Sequence, residues 1–236
     1  MTRNQLMLAM SQLAIRRTFF VSETDFQHEL AVELQKQQLD VILELPVRVP
    51  VMNTIHVDIV VYDRNAGIYH PIELKYKTKS DICKGQLGMP QYKLRTHSAQ
   101  DVNRYLFWKD VYRIEHTTCI KGFGEGFVIM LTNDDNYWNK PVSNNSIDIL
   151  FRLNSGNTVK TVMWNVGNSS GNYYVGRVHY DAFVLKRPYR IPKWRLFSNS
   201  YSLKNNNNCF KYLILTVPQM VPSSVNNQGG LFQIGE

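Results

Sequence analysis

The chain reads as an α/β protein with a mixed sheet, and three observations carry that expectation. Residues 55–79, IHVDIVVYDRNAGIYHPIELKYKTK, read as a β-hairpin: two runs rich in β-branched or alternating residues flank the polar turn Asp63–Gly67. Residues 98–116, SAQDVNRYLFWKDVYRIEH, carry a helical apolar face and precede a short buried run, GFVIML at 126–131. Strand, helix and strand in that order predict a βαβ crossover. Past about Asn139, short β-like pieces alternate with turns rich in Asn, Ser and Gly, which predicts a β-rich extension. The expected division is a core over 1–140 and an extension over 141–236, packed on the same domain.

Two helices open the chain. Leu6, Met10, Leu13 and Ala14 recur at helical spacing within 2–17. Ser22 then offers an N-cap, with Asp25 three residues on, and Phe26, Leu30 and Leu34 stripe a helix that runs to about Gln38. At about 100° per residue, Glu33 falls on that stripe and Glu29 on its rim. Glu23, in the first turn, is explained by the helix dipole. Residues 41–51, VILELPVRVPV, add a strand with Pro46 and Pro50 marking bends or an edge, so three strands form an antiparallel meander. Residues 78–96 hold Gly85, Gly88 and Pro90 and are expected to be a flexible basic loop able to close over a substrate. In the long helix, Asp101/Arg104 and Asp110/Arg113 are expected ion pairs three apart. Strands are expected at 147–153, 158–164, 173–178 and 209–217, and a loose tail from Pro218.

Composition narrows the partners. Lys and Arg number 27 against 19 Asp and Glu, a net charge of +8, which favours a polyanion, nucleic acid first. Cys83, Cys119 and Cys209 are odd in number and lack metal-ligand spacing, as expected of reduced thiols. The N-terminal apolar run is too short and interrupted for a signal segment, and no later run reaches membrane-spanning length. A soluble cytoplasmic protein without membrane contact is the expectation.

Asp58 sits inside the first hairpin strand, where an acid has poor β-propensity. Glu73 and Lys75, two apart on the second, project from one face. Asp58 followed by Glu73-Leu74-Lys75 resembles the active-site core of the PD-(D/E)XK nuclease superfamily, the restriction-endonuclease-like fold. The resemblance covers about Phe26 to Trp138, a little under half the chain. Val57, not proline, precedes Asp58. The resemblance implies a restriction-endonuclease-like core with N-terminal helices, a catalytic hairpin and a crossover helix. It implies hydrolysis of DNA with Mg²⁺, for which Mn²⁺ can substitute. Asp58, Glu73 and the Leu74 carbonyl would hold the metal, and Lys75 would position or activate the attacking water. Members often place a third acid on the preceding helix, and Glu33 is the choice here, although a surface Glu29/Glu33 pair explains both residues as well.

Other candidates rest on the residues themselves. Lys77 and Lys79 continue the alternation from Lys75 and either reach backbone phosphates or form a solvated face. Gln100 could orient a water or phosphate, or be a first-turn polar residue. Arg190, Lys193 and Arg195 interleave with Tyr189 and Trp194 in KRPYRIPKWR; cations beside rings suit a nucleic-acid edge, and a surface linker is the competitor. DNA is the expected partner, RNA is not separated from it by the sequence, and a homodimer is compatible with the resemblance. The rival reading is a nucleic-acid-binding protein that keeps the fold without the chemistry.

Overall fold

A computed structural model of the chain describes every residue except Val51, Leu87, Met89, Val142, Asn168, Ser169, Ser200, 205–207 and 221–236. Helix α1 (Arg3–Arg16) starts at a reciprocal cap in which Thr2 accepts the Gln5 N–H and the Gln5 side chain returns to the Thr2 backbone. Helix α2 (Glu23–Lys36) starts at Ser22, whose side chain accepts the Asp25 N–H as the sequence predicts. Strands β1 (Asp40–Arg48), β2 (Thr54–Asp63) and β3 (Ile68–Lys77) form the expected antiparallel meander. The β2–β3 turn is closed by Asp63, whose carboxylate accepts the N–H groups of Asn65 and Ala66, and by Gly67 at φ +65°.

Helix α3 (Gln100–Thr117) connects β3 to β6 (Gly126–Thr132), which pairs parallel to β3 and is buried along its whole length. Gly126 permits this packing, because a Cβ there would lie 2.4 Å from an Ile114 methyl of α3. The chain then forms β7 (Thr158–Val162), β8 (Tyr173–Val175), β9 (Val178–Tyr180), β10 (Phe183–Arg190), β11 (Arg195–Ser198) and β12 (Phe210–Val217). The main sheet runs β1-β2-β3-β6-β12-β11, so the last two strands complete the sheet begun in the N-terminal half. The sheet is mixed, with β3–β6 as its parallel pair.

Each face of the sheet covers a core. On one, Leu6, Met10, Phe26 and Leu30 of α1 and α2 pack on Ile72, Leu74, Tyr76 and Ile129. On the other, Trp108, Val111 and Ile114 of α3 join Val128, Met130, Trp164, Tyr189 and Trp194. Because Ile72, Leu74 and Tyr76 face α1 and α2, the two-residue period sends Glu73 and Lys75 toward α3.

Several expectations need correction. The 78–96 stretch is a hairpin of β4 (Asp81–Lys84) and β5 (Gln91–Leu94), tied by Lys84 N–H to Tyr201 O (2.6 Å) and Leu203 N–H to Ile82 O (2.8 Å), so it is not the open loop its glycines suggest. Residues 149–151 form a 3₁₀ turn where a strand was expected. The 173–178 strand is a small hairpin of β8 and β9. Arg104 pairs with Asp148 from beyond the crossover, and both are buried, so its expected i,i+3 partner Asp101 is not used. The expected loose tail lies, from residue 221, outside the described residues. Among those described, no helix is long and apolar enough to cross a membrane.

Candidate active site

The site forms where β2 leaves β3. Pairing between these strands runs from Asp63↔Ile68 to Ile59↔Ile72 and ends there. The β1–β2 ladder likewise passes from Leu43↔Ile59 to Leu45↔Val57, with Glu44 in a left-handed conformation (φ +52°) opposite Asp58. Past Ile72, β3 therefore presents N–H groups that no strand accepts, and a backbone donor left without a partner is costly. Side chains take them in succession. Leu74 N–H donates to Asp58 Oδ2 (2.6 Å), Tyr76 N–H to Glu23 Oε2 (2.6 Å) and Thr78 N–H to His97 Nδ1 (2.9 Å). Alternate residues of a strand stand roughly 7 Å apart, so the three acceptors form a row along one strand edge. Gln27 of α2 holds the Asp58 end by donating to the Asp58 carbonyl and to Glu44 Oε1, each at 2.6 Å.

On the α3 side, two residues one turn apart clasp the strand. Lys75 Nζ lies 2.5 Å from Asp110 Oδ2 and donates to the Leu74 carbonyl at 3.1 Å. Arg113 lies 3.2 Å from Glu73 Oε1 and 3.2 Å from Asp110 Oδ1, and donates to the His56 carbonyl at 2.7 Å. Lys77 Nζ reaches Glu23 Oε2 at 3.3 Å.

Electrostatics mark Asp58 and Glu73 as an unrelieved pair. Glu73 is 1% exposed, and its Oε1, although near Arg113, has no hydrogen bond of good geometry. Burial, then the charges of Asp110 and Asp58, push the Glu73 carboxyl well above its ordinary range. Burial also raises Asp58, against the pull of the Leu74 N–H and Lys75. Burial alone would lower Lys75, but Asp110 and Glu23 outweigh it and hold the ammonium above the ordinary lysine value. The site thus offers two carboxyls that resist ionising together beside a fixed cation.

This donor set suits a hard divalent cation. Mg²⁺ keeps several waters and uses one or two carboxylates, so Asp58 and Glu73 could hold it, with the buried, poorly satisfied Glu73 oxygen as a ligand atom. Among the described residues, no three His, Cys, Asp or Glu side chains gather in a ligand cluster, so a full protein cage is not on offer. The Leu74 carbonyl is occupied by Lys75.

Of the residues expected from sequence, Asp58, Glu73, Leu74 and Lys75 come together. Glu33 does not join them: it is buried as expected, but Arg16 and Lys36, each at 2.8 Å, satisfy it. These cations outweigh its burial and hold its carboxyl below the usual range. The acid that α2 delivers to β3 is Glu23, read from sequence only as a dipole partner. Lys77 stands at the edge of the site. Lys79 lies beyond β3, with its N–H on Asn133 Oδ1 (2.7 Å) and its ammonium 3.5 Å from Asp135. Gln100 donates to Asp134 Oδ2 (3.0 Å) as a first-turn polar residue. Arg190, Lys193 and Arg195 are exposed, but Trp194 is buried and its indole N–H donates to the Leu153 carbonyl at 2.8 Å. Tyr189 is also core, donating to Glu115 at 3.0 Å, so neither ring is a stacking platform. The sequence reads Asp110 and Arg113 only as an ion pair three apart, which the structure keeps at 3.2 Å, and does not single out His97. An acid three residues past Phe107 and next to Val111, on the apolar face, was the available signal for Asp110.

No family model, curated protein or solved structure matches this chain.

Proposed function

We propose that the protein is a metal-dependent nuclease that hydrolyses phosphodiester bonds in DNA, on a fold resembling the restriction-endonuclease-like core. The observation that carries this reading is the convergence of Asp58 and Glu73, with raised carboxyl pKa values, beside Lys75 at the split between β2 and β3. Asp58 and Glu73 would hold Mg²⁺, or Mn²⁺ in its place. A bound divalent ion there supplies a water of lowered pKa and neutralises charge growing on the phosphate. Lys75 keeps its proton and offers a fixed positive charge to the phosphoryl oxygens. Glu23 stands next along the strand edge, 40% exposed, where it can accept a proton from a substrate-side water. Asp110 and Arg113 position Lys75 and Glu73 from behind. The net charge of +8 supports a polyanionic substrate, and the free thiols Cys83, Cys119 and Cys209 suit a cytoplasmic, reducing compartment.

Plasmid cleavage with Mg²⁺ or Mn²⁺ tests the reading. The wild type should cut, and Asp58→Ala, Glu73→Ala and Lys75→Ala should each lose activity by at least about 10²-fold. Cleavage that survives the first two substitutions removes the mechanism. A second reading, a nucleic-acid-binding protein without catalysis, is favoured by the engagement of Lys75 by Asp110 and of Glu73 by Arg113. Salt-sensitive DNA affinity without metal-dependent cleavage would select it.

A further inference from the structure

One step along the strand edge from Asp58 and Glu73, a cavity of about 430 Å³ opens beside Glu23. Glu23, Lys77, Tyr92, Leu94, Arg95 and His97 are among the residues that line it. Its volume falls within the range of small-molecule sites, roughly 300–1,000 Å³. Its chemistry divides into two parts. Lys77, Arg95 and His97 give a cationic and hydrogen-bonding side; Tyr92 and Leu94 give an apolar wall.

Each part is held in place. Thr78 N–H donates to His97 Nδ1, so that nitrogen is an acceptor and the neutral ring carries its proton on Nε2, ready to donate. Burial and the neighbouring Lys77 lower the His97 pKa, which keeps this neutral donor form at physiological pH. The Tyr92 ring stacks on Phe19, with centroids 5.6 Å apart, and its hydroxyl is 3.4 Å from the Val21 carbonyl. The wall that carries Tyr92 and Leu94 is β5 of the tied hairpin described above, so the cavity is built in advance. Arg95 is exposed and forms no ion pair among the described residues, unlike Lys77, which is engaged by Glu23.

We propose that this cavity binds the nucleotide of the substrate strand that neighbours the scissile bond, its phosphate on Arg95, Lys77 and His97 and its base or sugar against Tyr92 and Leu94. The proposal rests on the nuclease reading for its place beside the cut, but its binding arm does not require hydrolysis. Glu23 joins the two sites, because its carboxylate caps Tyr76, pairs with Lys77 and lines the cavity.

The test uses the full chain and a short fluorescein-labelled single-stranded DNA oligonucleotide, followed by anisotropy in EDTA and by cleavage in Mg²⁺. Arg95→Glu should weaken binding at least about tenfold, and His97→Ala less. Lys160→Glu, an equal charge change at an exposed position of β7, should weaken it by no more than about twofold. Asp58→Ala should abolish cleavage but keep the oligonucleotide bound. In cleavage, Arg95→Glu should raise KM and leave kcat within about twofold, the pattern of a lost ground-state contact. If Arg95→Glu and Lys160→Glu weaken binding equally, the cavity is no subsite and the proposal falls, whatever the cleavage result. If the wild type fails to cut while binding still depends on Arg95, the nuclease reading falls and the subsite stands.

Discussion

Replacing Glu73 by Gln should stabilise the metal-free protein while ending its response to Mg²⁺. Glu73 is 1% exposed, faces Asp58 and Asp110, and has an oxygen without a well-formed hydrogen bond. An amide of the same shape removes the ionisation that burial resists. Leaving a buried polar or charged group poorly satisfied costs about 1–3 kcal/mol, so relief should be of that order, less what Arg113 loses. Arg113 retains Asp110 and the His56 carbonyl, which limits the loss. At roughly 2–4 °C per kcal/mol for a chain of this size, the expected gain in Tm is a few degrees in EDTA. The wild type should recover a similar amount with metal, because ligand at 100 times its Kd stabilises by about 2.7 kcal/mol. The pH dependence follows from the sign of the shifts. Asp58 and Glu73 have folded pKa values above their ordinary ones, so the folded state binds more protons than the unfolded state between those values. Metal-free stability should therefore fall as pH rises from the ordinary carboxyl range through the raised values, and Glu73→Gln should flatten that fall. Thermal unfolding in EDTA and in Mg²⁺ across pH measures all of this. A Glu73→Gln protein that is less stable in EDTA, or that gains as much from Mg²⁺ as the wild type, would refute the reasoning.

Two further outcomes separate the residues that sequence and structure rank differently. Glu23→Gln should lower cleavage by about 10²-fold or more, the scale of a lost proton-transfer group, whereas Glu33→Gln should leave kcat nearly unchanged and cost about 1 kcal/mol of stability; parallel kinetics and urea unfolding distinguish them. Trp194→Ala should cost about 3–5 kcal/mol, since the ring is 7% exposed and packs 5.8 Å from Trp138, while the folded protein's oligonucleotide affinity stays the same; an affinity loss without destabilisation would restore the stacking role.

The hairpin, its turn and the pairing of Asp58 with Glu73 and Lys75 were legible because a two-residue period fixes which side chains share a face. The crossover to β6 was legible because an apolar helix followed by a fully buried strand has few ways to pack. Helical periodicity also placed Glu33 inward correctly. It could not show that Arg16, from a different helix, would reach Glu33 first, nor that the start of α2 would deliver Glu23 to Tyr76 across 53 residues. The rings of the basic-aromatic run were misplaced for a related reason, while its cations are exposed as expected: cations alternating with rings also describe an amphipathic strand with its rings inside, as at Tyr189 and Arg190 of β10. The β4–β5 hairpin was hidden because its glycines and proline mark its turn region, and its anchor, Tyr201, comes from far along the chain.

The departure of β2 from β3 is what turns an ordinary sheet position into a site. Had the strands stayed paired, the Leu74 and Tyr76 N–H groups would have been met by backbone carbonyls, and no carboxylate would have been drawn to that edge. Instead Asp58 and Glu23 satisfy them, Glu73 enters from the strand itself, and Asp110 arrives on α3. Four carboxylates then face three cations, Lys75, Lys77 and Arg113. Burial, and after it that excess of acid, raises the Asp58 and Glu73 pKa values; on the nuclease reading proposed above, a divalent cation would relieve the same excess and turn the local balance positive toward a phosphate. On the same nuclease reading the Asp110–Lys75 pair would have a use: a lysine held in place and fully protonated gives up the basicity of a free amine for a fixed charge, the property that stabilisation of a phosphoryl transition state would require.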